Sequence, residues 1–504
     1  MRALLPTTHH SWPLHDAASS RAVEQAALLQ QAPHQLIERA GWAVARLALA
    51  LYPHARSAVV LAGPGNNGGD ALIAARWLAA RGWHLHIHRI GPPPREGSDA
   101  AHALRAAQAA GLTIQQGPPS DTSAWTEVDL WIDGLLGLGA NRAPEGDIAA
   151  AIRTANAHHA PVLAIDVPSG LQPDTGQTSG ADTIVAAHTL SLLTLKPGLV
   201  TGEGRAHTGR IWFDDLDTPP APQHPPGAQL LGLEVLAGWQ QAHPRGATSH
   251  KGRQGDVVVL GGAPGMRGAA WLAATAALTA GAGRVYAALP EDDGLPWPAR
   301  PELMHWPAER WSQAHAWRDA VVVCGCGGGT AILPWLDAVL HEARHLVLDA
   351  DGLNLVADDA GLARRLTARH SHGLHTLMTP HPLEAARLLG LGSTGAVQCD
   401  RLAAAKALAE RFQCTVVLKG SGSVIASPDH RPDINSTGSA ALATAGTGDV
   451  LAGWAGGLWA QALQASAHEV ACTAVVWHGA ATRSHQGPLR AADLIEAMAR
   501  LHAH

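Results

Sequence analysis

Ser57-Ala58-Val59-Val60-Leu61-Ala62-Gly63-Pro64-Gly65-Asn66-Asn67-Gly68-Gly69-Asp70 joins two elements of different period. Ser57 to Leu61 is an apolar, β-branched run of strand length. Gly63 to Gly69 reads as a loop. From Asp70 to Arg81 the pattern is helical, and Gly82 stops it. A short buried strand that turns through glycines into a helix is the building unit of a parallel sheet covered on both faces. Such sheets bind ligands beyond the carboxyl ends of their strands, where this loop falls. Four glycines in eight positions let a ligand approach the backbone, and Asn66 and Asn67 add hard amide oxygens. Asp70 could hold a ribose hydroxyl or cap the helix.

The same alternation extends in both directions. A helical run spans about Asp16 to Leu51, and strands follow at His84–Ile90, Val128–Asp133, Val162–Asp166 and Thr183–Leu195. Five prolines between Asp217 and Gly227 block helix and sheet ladder and read as an extended linker. Beyond it the style returns without a sequence repeat. Asp256–Leu260 is a strand, Gly261–Gly268 a loop, Ala269–Thr279 a helix ended by Gly281, and Arg284–Leu289 a strand. Val321–Val323, His345–Leu348 and Thr415–Leu418 are further strands. The expected division is a domain over 1–217, a Pro-rich linker over 218–228 and a second domain over 229–504.

Composition narrows the class. A chain of 504 residues with 54 glycines and 15% charged residues reads as a compact α/β protein of two or three domains. A formal charge of −6 without a Lys/Arg run argues against a nucleic-acid surface. No long apolar window suggests a membrane span, and the N-terminus is a poor signal peptide, so a cytoplasmic location is expected. The five cysteines are odd in number, and Cys324 and Cys326 read as small core residues in a reducing compartment.

In the first half, Asp133 and Asp166-Val167-Pro168-Ser169 each end a strand. Oxygens of Asn67, Asp133 and Ser169 at adjacent strand ends could surround a hard cation. With Leu36-Ile37-Glu38-Arg39-Ala40-Gly41 before them and Lys196-Pro197-Gly198 after them, these pieces resemble the NAD(P)HX epimerase family over roughly residues 15 to 215. Five separated motifs occur in order. The resemblance implies a Rossmann-like three-layer parallel sheet. It implies that Asn66, Asn67, Gly68, Gly69 and Asp70 bind a hydrated nicotinamide dinucleotide, with Gly137, Leu138, Gly139, Ala140, Asn141, Arg142, Ala143 and Asp166. It further implies potassium on Asn67, Asp133 and Ser169. Asp166 is the candidate for proton handling; Lys196 either assists it or is a surface lysine.

In the second half, Ala445-Gly446-Thr447-Gly448-Asp449-Val450 carries the sharpest signal. The glycines uncover backbone N–H groups, Thr447 adds a hydroxyl donor, and a helix begins at Asp449. Donors at a helix N-terminus suit a phosphate. A carboxylate kept beside that phosphate suits a proton-handling role, although an Asp-capped glycine turn has the same spelling. Lys419-Gly420-Ser421-Gly422-Ser423 offers a second phosphate-binding run, and His381 sits between two prolines. Asp349 and Asp351 could meet magnesium or cap a turn. In order, these motifs resemble the ADP/ATP-dependent NAD(P)HX dehydratases, members of the ribokinase-like superfamily, from about residue 230 onward. The resemblance implies a ribokinase-like α/β sandwich. Lys419, Gly420, Ser421, Gly422, Ser423 and Gly448 would contact the adenine nucleotide. Ala269, Gly327, His381 and Asp449 would face the hydrated dinucleotide. Cys324–Gly329 departs from the family's usual Gly-Pro-Gly-Leu-Gly, and Ser439-Ala440-Ala441-Leu442 from its Asn-Pro-Gly-Met.

The two resemblances together imply a bifunctional repair enzyme. It would equilibrate R- and S-NAD(P)HX, then dehydrate the S form to NAD(P)H with release of phosphate. Asp449 would be the base and ADP, with magnesium, the preferred nucleotide over ATP. A homo-oligomer is expected. The alternative is a ribokinase-like kinase for a small alcohol fused to a non-catalytic binding domain.

Overall fold

The computed structural model describes the chain except residues 1, 5–7, 120–126, 140–141, 219–222, 292–299, 314, 484, 486 and 502–504. It divides into two compact units, Met1–Thr8 with Trp12–Leu230 and His9–Ser11 with Leu231–His504.

Among the described residues of the first unit, one sheet has eight strands in the order Arg2–Ala3, Arg210–Asp214, His188–Leu192, Val162–Ile165, Leu130–Gly134, Ser57–Ala62, His84–Arg89, Ile114–Gln116. Of these, the edge strand Arg2–Ala3 is antiparallel to its neighbour and the others are parallel. Ala58, Val60 and Ala62 pack with helices Gln35–Leu51 and Asn66–Ala79 on one face. Val59 and Leu61 pack with Ala151 and Ile152 of helix Gly146–Ala157 on the other. Apolar residues at every position of one strand are thus explained by a sheet with two covered faces. The chain leaves Ser57–Ala62 for one side of the sheet and returns on the other side at Leu130–Gly134. The loops after these two strands therefore meet at the switch point where α/β folds bind ligands.

Several boundaries differ from expectation; the strand expected over Thr183–Leu195, for one, is His188–Leu192. The run Asp16–Leu51 is two helices, Ala17–Gln30 and Gln35–Leu51. Pro33 removes a helical donor, and His34 at φ 66° turns the chain. The helix expected from Asp70 begins at Asn66, so Asn66 to Gly69 form its first turn. Asp70 therefore lies inside the helix and does not cap it.

Among the described residues of the second unit, nine strands run in the order Met304–His305, Arg284–Ala288, Asp256–Leu260, Val321–Cys324, His345–Leu348, His375–Met378, Thr415–Leu418, Ser423–Ser427, His430–Asn435. The first seven are parallel and the last two form an antiparallel hairpin. Helices Arg267–Ala280 and Thr447–Gln461 pack closely over the centre of this sheet. A Cβ at Gly453 would lie 2.0 Å from the Ala273 carbonyl, and one at Gly457 2.3 Å from the Ala277 carbonyl. The glycines of the second helix let the two backbones touch. The switch point here is between Asp256–Leu260 and Val321–Cys324, whose following loops are tied by Gly262 N to Cys326 O, 3.0 Å, and Ala263 N to Gly327 O, 2.7 Å.

Candidate active sites

A cavity of about 830 Å³ opens at the first unit's switch point. Asn66, Asn67, Asp70, Gly137, Leu138, Gly139, Arg142, Ala143 and Asp166 line it. Ala140 and Asn141 lie outside the described residues. Gly68 and Gly69 point elsewhere: a Cβ at Gly68 would lie 2.0 Å from the Gly63 carbonyl, and one at Gly69 2.6 Å from Ile37. These two glycines let the helix start pack against the chain around it.

Asp166 stands at the end of its strand in the left-handed region, φ 65°. Few side chains tolerate that conformation without support. Here Leu192 N donates to Oδ1 at 3.1 Å, and Lys196 forms an ion pair with the same oxygen. Lys196 is 1% exposed, so it is no surface lysine. Its ammonium also donates to the carbonyls of Leu192 and Thr194 at 2.9 and 2.8 Å. The carboxylate thus reaches the cavity while its cation stays behind it. Glu24 and Asp99 line the same cavity. Burial, then the charge of Asp166, pushes the carboxyls of Asp70 and Glu24 above their ordinary range, Asp70 strongly. A proton is readily held among these groups.

Beneath the cavity Asn67, Asp133 and Ser169 converge on Leu136. Asn67 Nδ2 donates to Leu136 O at 2.8 Å, and Leu136 N donates to Ser169 Oγ at 2.9 Å. Asp133 is fully buried. It accepts from Ser169 Oγ at 2.7 Å, Ser169 N at 2.9 Å and Leu135 N at 3.2 Å. All three donors are neutral, and burial pushes the carboxyl up to about 6. A buried carboxylate held by neutral donors, among oxygens at adjacent strand ends, fits the chemistry of a hard monovalent cation.

In the second unit the helix Thr447–Gln461 starts after Gly446, which at φ 89° occupies the N-cap position. Asp449 is therefore in the first turn and not its cap. Thr447 does not aim its hydroxyl at a ligand: it donates to Leu442 O at 2.9 Å and Thr444 O at 3.0 Å. The donors at this helix end are backbone N–H groups. A Cβ at Gly448 would lie 3.4 Å from Lys419 Nζ, so the ammonium sits over the helix start. Lys419 pairs with Asp349 at 2.6 Å, and Thr379 Oγ1 donates to the same carboxylate oxygen at 2.8 Å. Asp351 accepts from Gly329 N at 2.8 Å. Burial, then the charge of Asp349, pushes Asp449 up to about 6. A lysine, helix N-terminal N–H groups and a carboxylate of raised pKa are groups that can hold a phosphate and take up a proton beside it.

The remaining predicted residues frame this centre. Gly420 at φ 139° lies against the Arg401 guanidinium, where a Cβ would come within 2.9 Å. Arg401 is buried and donates to the carbonyls of Leu418, Lys419 and Gly422, fixing the loop that carries Lys419 to Ser423. Gly327 faces Ala269, whose methyl would stand 2.8 Å from a Cβ at the glycine. His381 caps the helix Pro382–Leu389: its Nδ1 accepts from Leu383 N at 3.1 Å and Glu384 N at 3.3 Å, while Glu384 accepts from His381 N at 2.7 Å. Lys419 N donates to Pro380 O at 2.9 Å, joining this turn to the lysine.

Sequence reading missed Glu24, Asp99 and Arg401, and gave Thr379 and Glu384, which flank His381, no role. Each lies inside a helix or beside a motif, with no spacing to mark it. Cys326 is buried as expected, and its sulfur lies within 4.8 Å of a carboxylate oxygen of Asp449 and of Asp349.

Known proteins resemble the chain along most of its length. The family described as NAD(P)H-hydrate dehydratase matches residues 257–497, and the family described as YjeF-related protein N-terminus matches residues 33–198. The bifunctional NAD(P)H-hydrate repair enzyme Nnr of Escherichia coli (strain K12) is 39% identical, covering 91% of this chain and 86% of its own. The bifunctional NAD(P)H-hydrate repair enzyme of Leishmania braziliensis is 34% identical, covering 94% and 88%. A solved ADP/ATP-dependent NAD(P)H-hydrate dehydratase from Bacillus subtilis, crystallised with ATP and Mg2+, aligns at a TM-score of 0.43 and 28% identity, over 51% of this chain and 92% of that one.

Proposed function

The chain belongs to the family of bifunctional NAD(P)H-hydrate repair enzymes, and we propose that its two units restore hydrated nicotinamide dinucleotides in two successive reactions. Hydration of the reduced nicotinamide ring removes the hydride donor and leaves R and S epimers. The first unit interconverts them. The second converts the S epimer to NAD(P)H.

The observation that carries this reading is the carboxylate of Asp449 beside Lys419 and the N–H groups of Gly448 and its neighbours. Asp449 takes the proton of the ring hydroxyl as that oxygen attacks the terminal phosphorus of ADP or ATP. The helix N-terminus and Lys419 stabilise the charge on the transferring phosphoryl group. Phosphate then leaves, a ring proton is lost and the double bond returns. Hydroxide is a poor leaving group and phosphate a good one, which explains the need for a nucleotide. Magnesium carried by the nucleotide would neutralise phosphate charge, and Asp349 is the carboxylate suited to meet it. ADP, ending as AMP, is the preferred donor in this reading.

In the first unit Asp166 moves the proton, with Lys196 and the Leu192 N–H holding its carboxylate in place. Potassium would be held by Asn67, Asp133 and Ser169, where it would supply positive charge. Giving the purified chain a mixture of hydrate epimers with ADP or ATP should restore the dihydropyridine absorbance completely, with inorganic phosphate released. Conversion that stops once the S fraction is consumed would overturn the epimerase role. A stable phosphoester product would overturn the dehydratase role in favour of a small-alcohol kinase.

A further inference from the structure

One cluster of metal-ligand side chains belongs to neither site. Asp433 lies on the strand His430–Asn435, and His468 and Cys472 are four residues apart on the helix Ala467–Ala480. An i, i+4 pair shares one face of a helix, and this face meets the strand. Each side chain offers one ligand atom, and the three atoms lie within 4.8 Å of one another. His468 Nε2 is 2.7 Å from Asp433 Oδ2, and Cys472 Sγ is 3.8 Å from the same oxygen.

We propose that Asp433, His468 and Cys472 form a zinc-class metal site that fastens the hairpin Ser423–Asn435 to the helix Ala467–Ala480. Tetrahedral zinc with bonds of about 2.0–2.3 Å sets its donor atoms about 3.3–3.8 Å apart. The sulfur and oxygen already stand at that separation. The imidazole and carboxylate need to part by about half an ångström, a small side-chain rotation, for the ion to replace their hydrogen bond.

The surroundings suit the ion. His468 Nδ1 is 2.8 Å from Ser427 Oγ, which is 2.9 Å from Thr415 Oγ1. The hydroxyl can accept the Nδ1 proton, leaving the Nε2 lone pair for a metal, and it holds the ring in plane as outer partners of metal-bound histidines do. The ring of His430 stacks on His468 at 4.6 Å. On binding, the Cys472 thiol gives its proton to solvent. One carboxylate, one thiolate and a divalent cation then sum to zero, which a mostly buried site requires. The His468 and Asp433 side chains keep 13% and 11% exposure, enough for entry and for a water as fourth ligand. A mixed sulfur, nitrogen and oxygen set selects zinc over magnesium or calcium.

The test uses the full chain, stripped with chelator and titrated with Co2+ as a coloured stand-in for Zn2+. The site predicts a thiolate-to-cobalt charge-transfer band at one ion per chain, bleached by Zn2+. Cys472→Ser should abolish the band, and His468→Ala should weaken cobalt binding at least tenfold. Cys326→Ser should keep it, separating this cluster from the thiol beside Asp449. Cys472→Ser should retain dehydratase activity, proving that it folds, and should lose any rise in Tm that Zn2+ gives the parent protein. Absence of the band in the parent protein, or its survival in Cys472→Ser, would overturn the proposal.

Discussion

Asp449 is a carboxylate placed where negative charge is expected to arrive, and its surroundings set when it works. With its carboxyl pushed up to about 6, the ionised, basic form dominates at neutral pH and is lost below. Dehydratase kcat/KM should therefore fall about tenfold per pH unit below that point. Asp449→Asn should lower dehydration by roughly 10²–10⁴ while leaving epimerisation unchanged. Asp133 obeys the opposite linkage. Its folded value, about 6, lies above the unfolded one, so its ionisation costs stability as pH rises through this range, by up to about 3 kcal/mol once complete. A bound cation would offset that cost. The melting temperature should be higher in potassium chloride than in choline chloride at pH 8, with the gap closing near pH 5. Equal melting in both salts at pH 8 would remove the cation from Asn67, Asp133 and Ser169. Lys419 and Asp449 could be picked out in the sequence because glycines adjoin them, Gly420 after the lysine and Gly448 before the aspartate. Glu24 and Arg401 could not, since a charged residue inside a helix reads as a solvated face. Thr447 misled for a local reason: its hydroxyl satisfies carbonyls of its own turn, as threonine at a helix start often does.

At the scale of elements, the close packing of Thr447–Gln461 on Arg267–Ala280 positions Asp449. Gly453→Ala would gain up to about 1 kcal/mol of helix propensity. It would also force a methyl to within 2.0 Å of the Ala273 carbonyl, where backbone cannot yield cheaply. Overpacking of this kind costs about 1–3 kcal/mol, so the net effect should be a lower Tm in calorimetry, with loss of dehydratase activity as the helix start shifts. An unchanged or raised Tm would show that the two helices are free to part. Gly453, Gly456 and Gly457 lie in one helical run after Asp449, and close backbone packing is what offsets their poor helix propensity. The strands were readable where both faces are covered, since continuous apolar runs leave no ambiguity of face. The hairpin Ser423–Asn435 was not: Pro432 argues against a strand, and its register shifts between Ile425 and Ser427. His375–Met378 opens with His375 and Thr376, so only Leu377 and Met378 remain as an apolar run. The break between the first two helices turns on His34 adopting a conformation that propensity disfavours, and only Pro33 hints at it.

Across the whole molecule, two units each carry their own buried sheet and their own switch-point site. Residues His9–Ser11 belong to the second unit, where Ser11 N donates to Glu234 Oε1 at 2.7 Å. That contact spans 223 residues of sequence and has no local signature. Separate cores and sites make the two activities separable by single substitutions. Asp166→Asn should stop epimerisation and leave dehydration, so that a mixture of epimers with ADP or ATP is consumed only to the S fraction. Asp449→Asn should do the reverse, equilibrating the epimers without restoring absorbance. If the epimers pass between sites through solvent, equal amounts of the two variants mixed together should carry the reaction to completion, at about half the rate of the parent chain or less. A mixture that halts at the S fraction, while each variant retains its own activity in isolation, would mean that substrate must reach both sites on one chain.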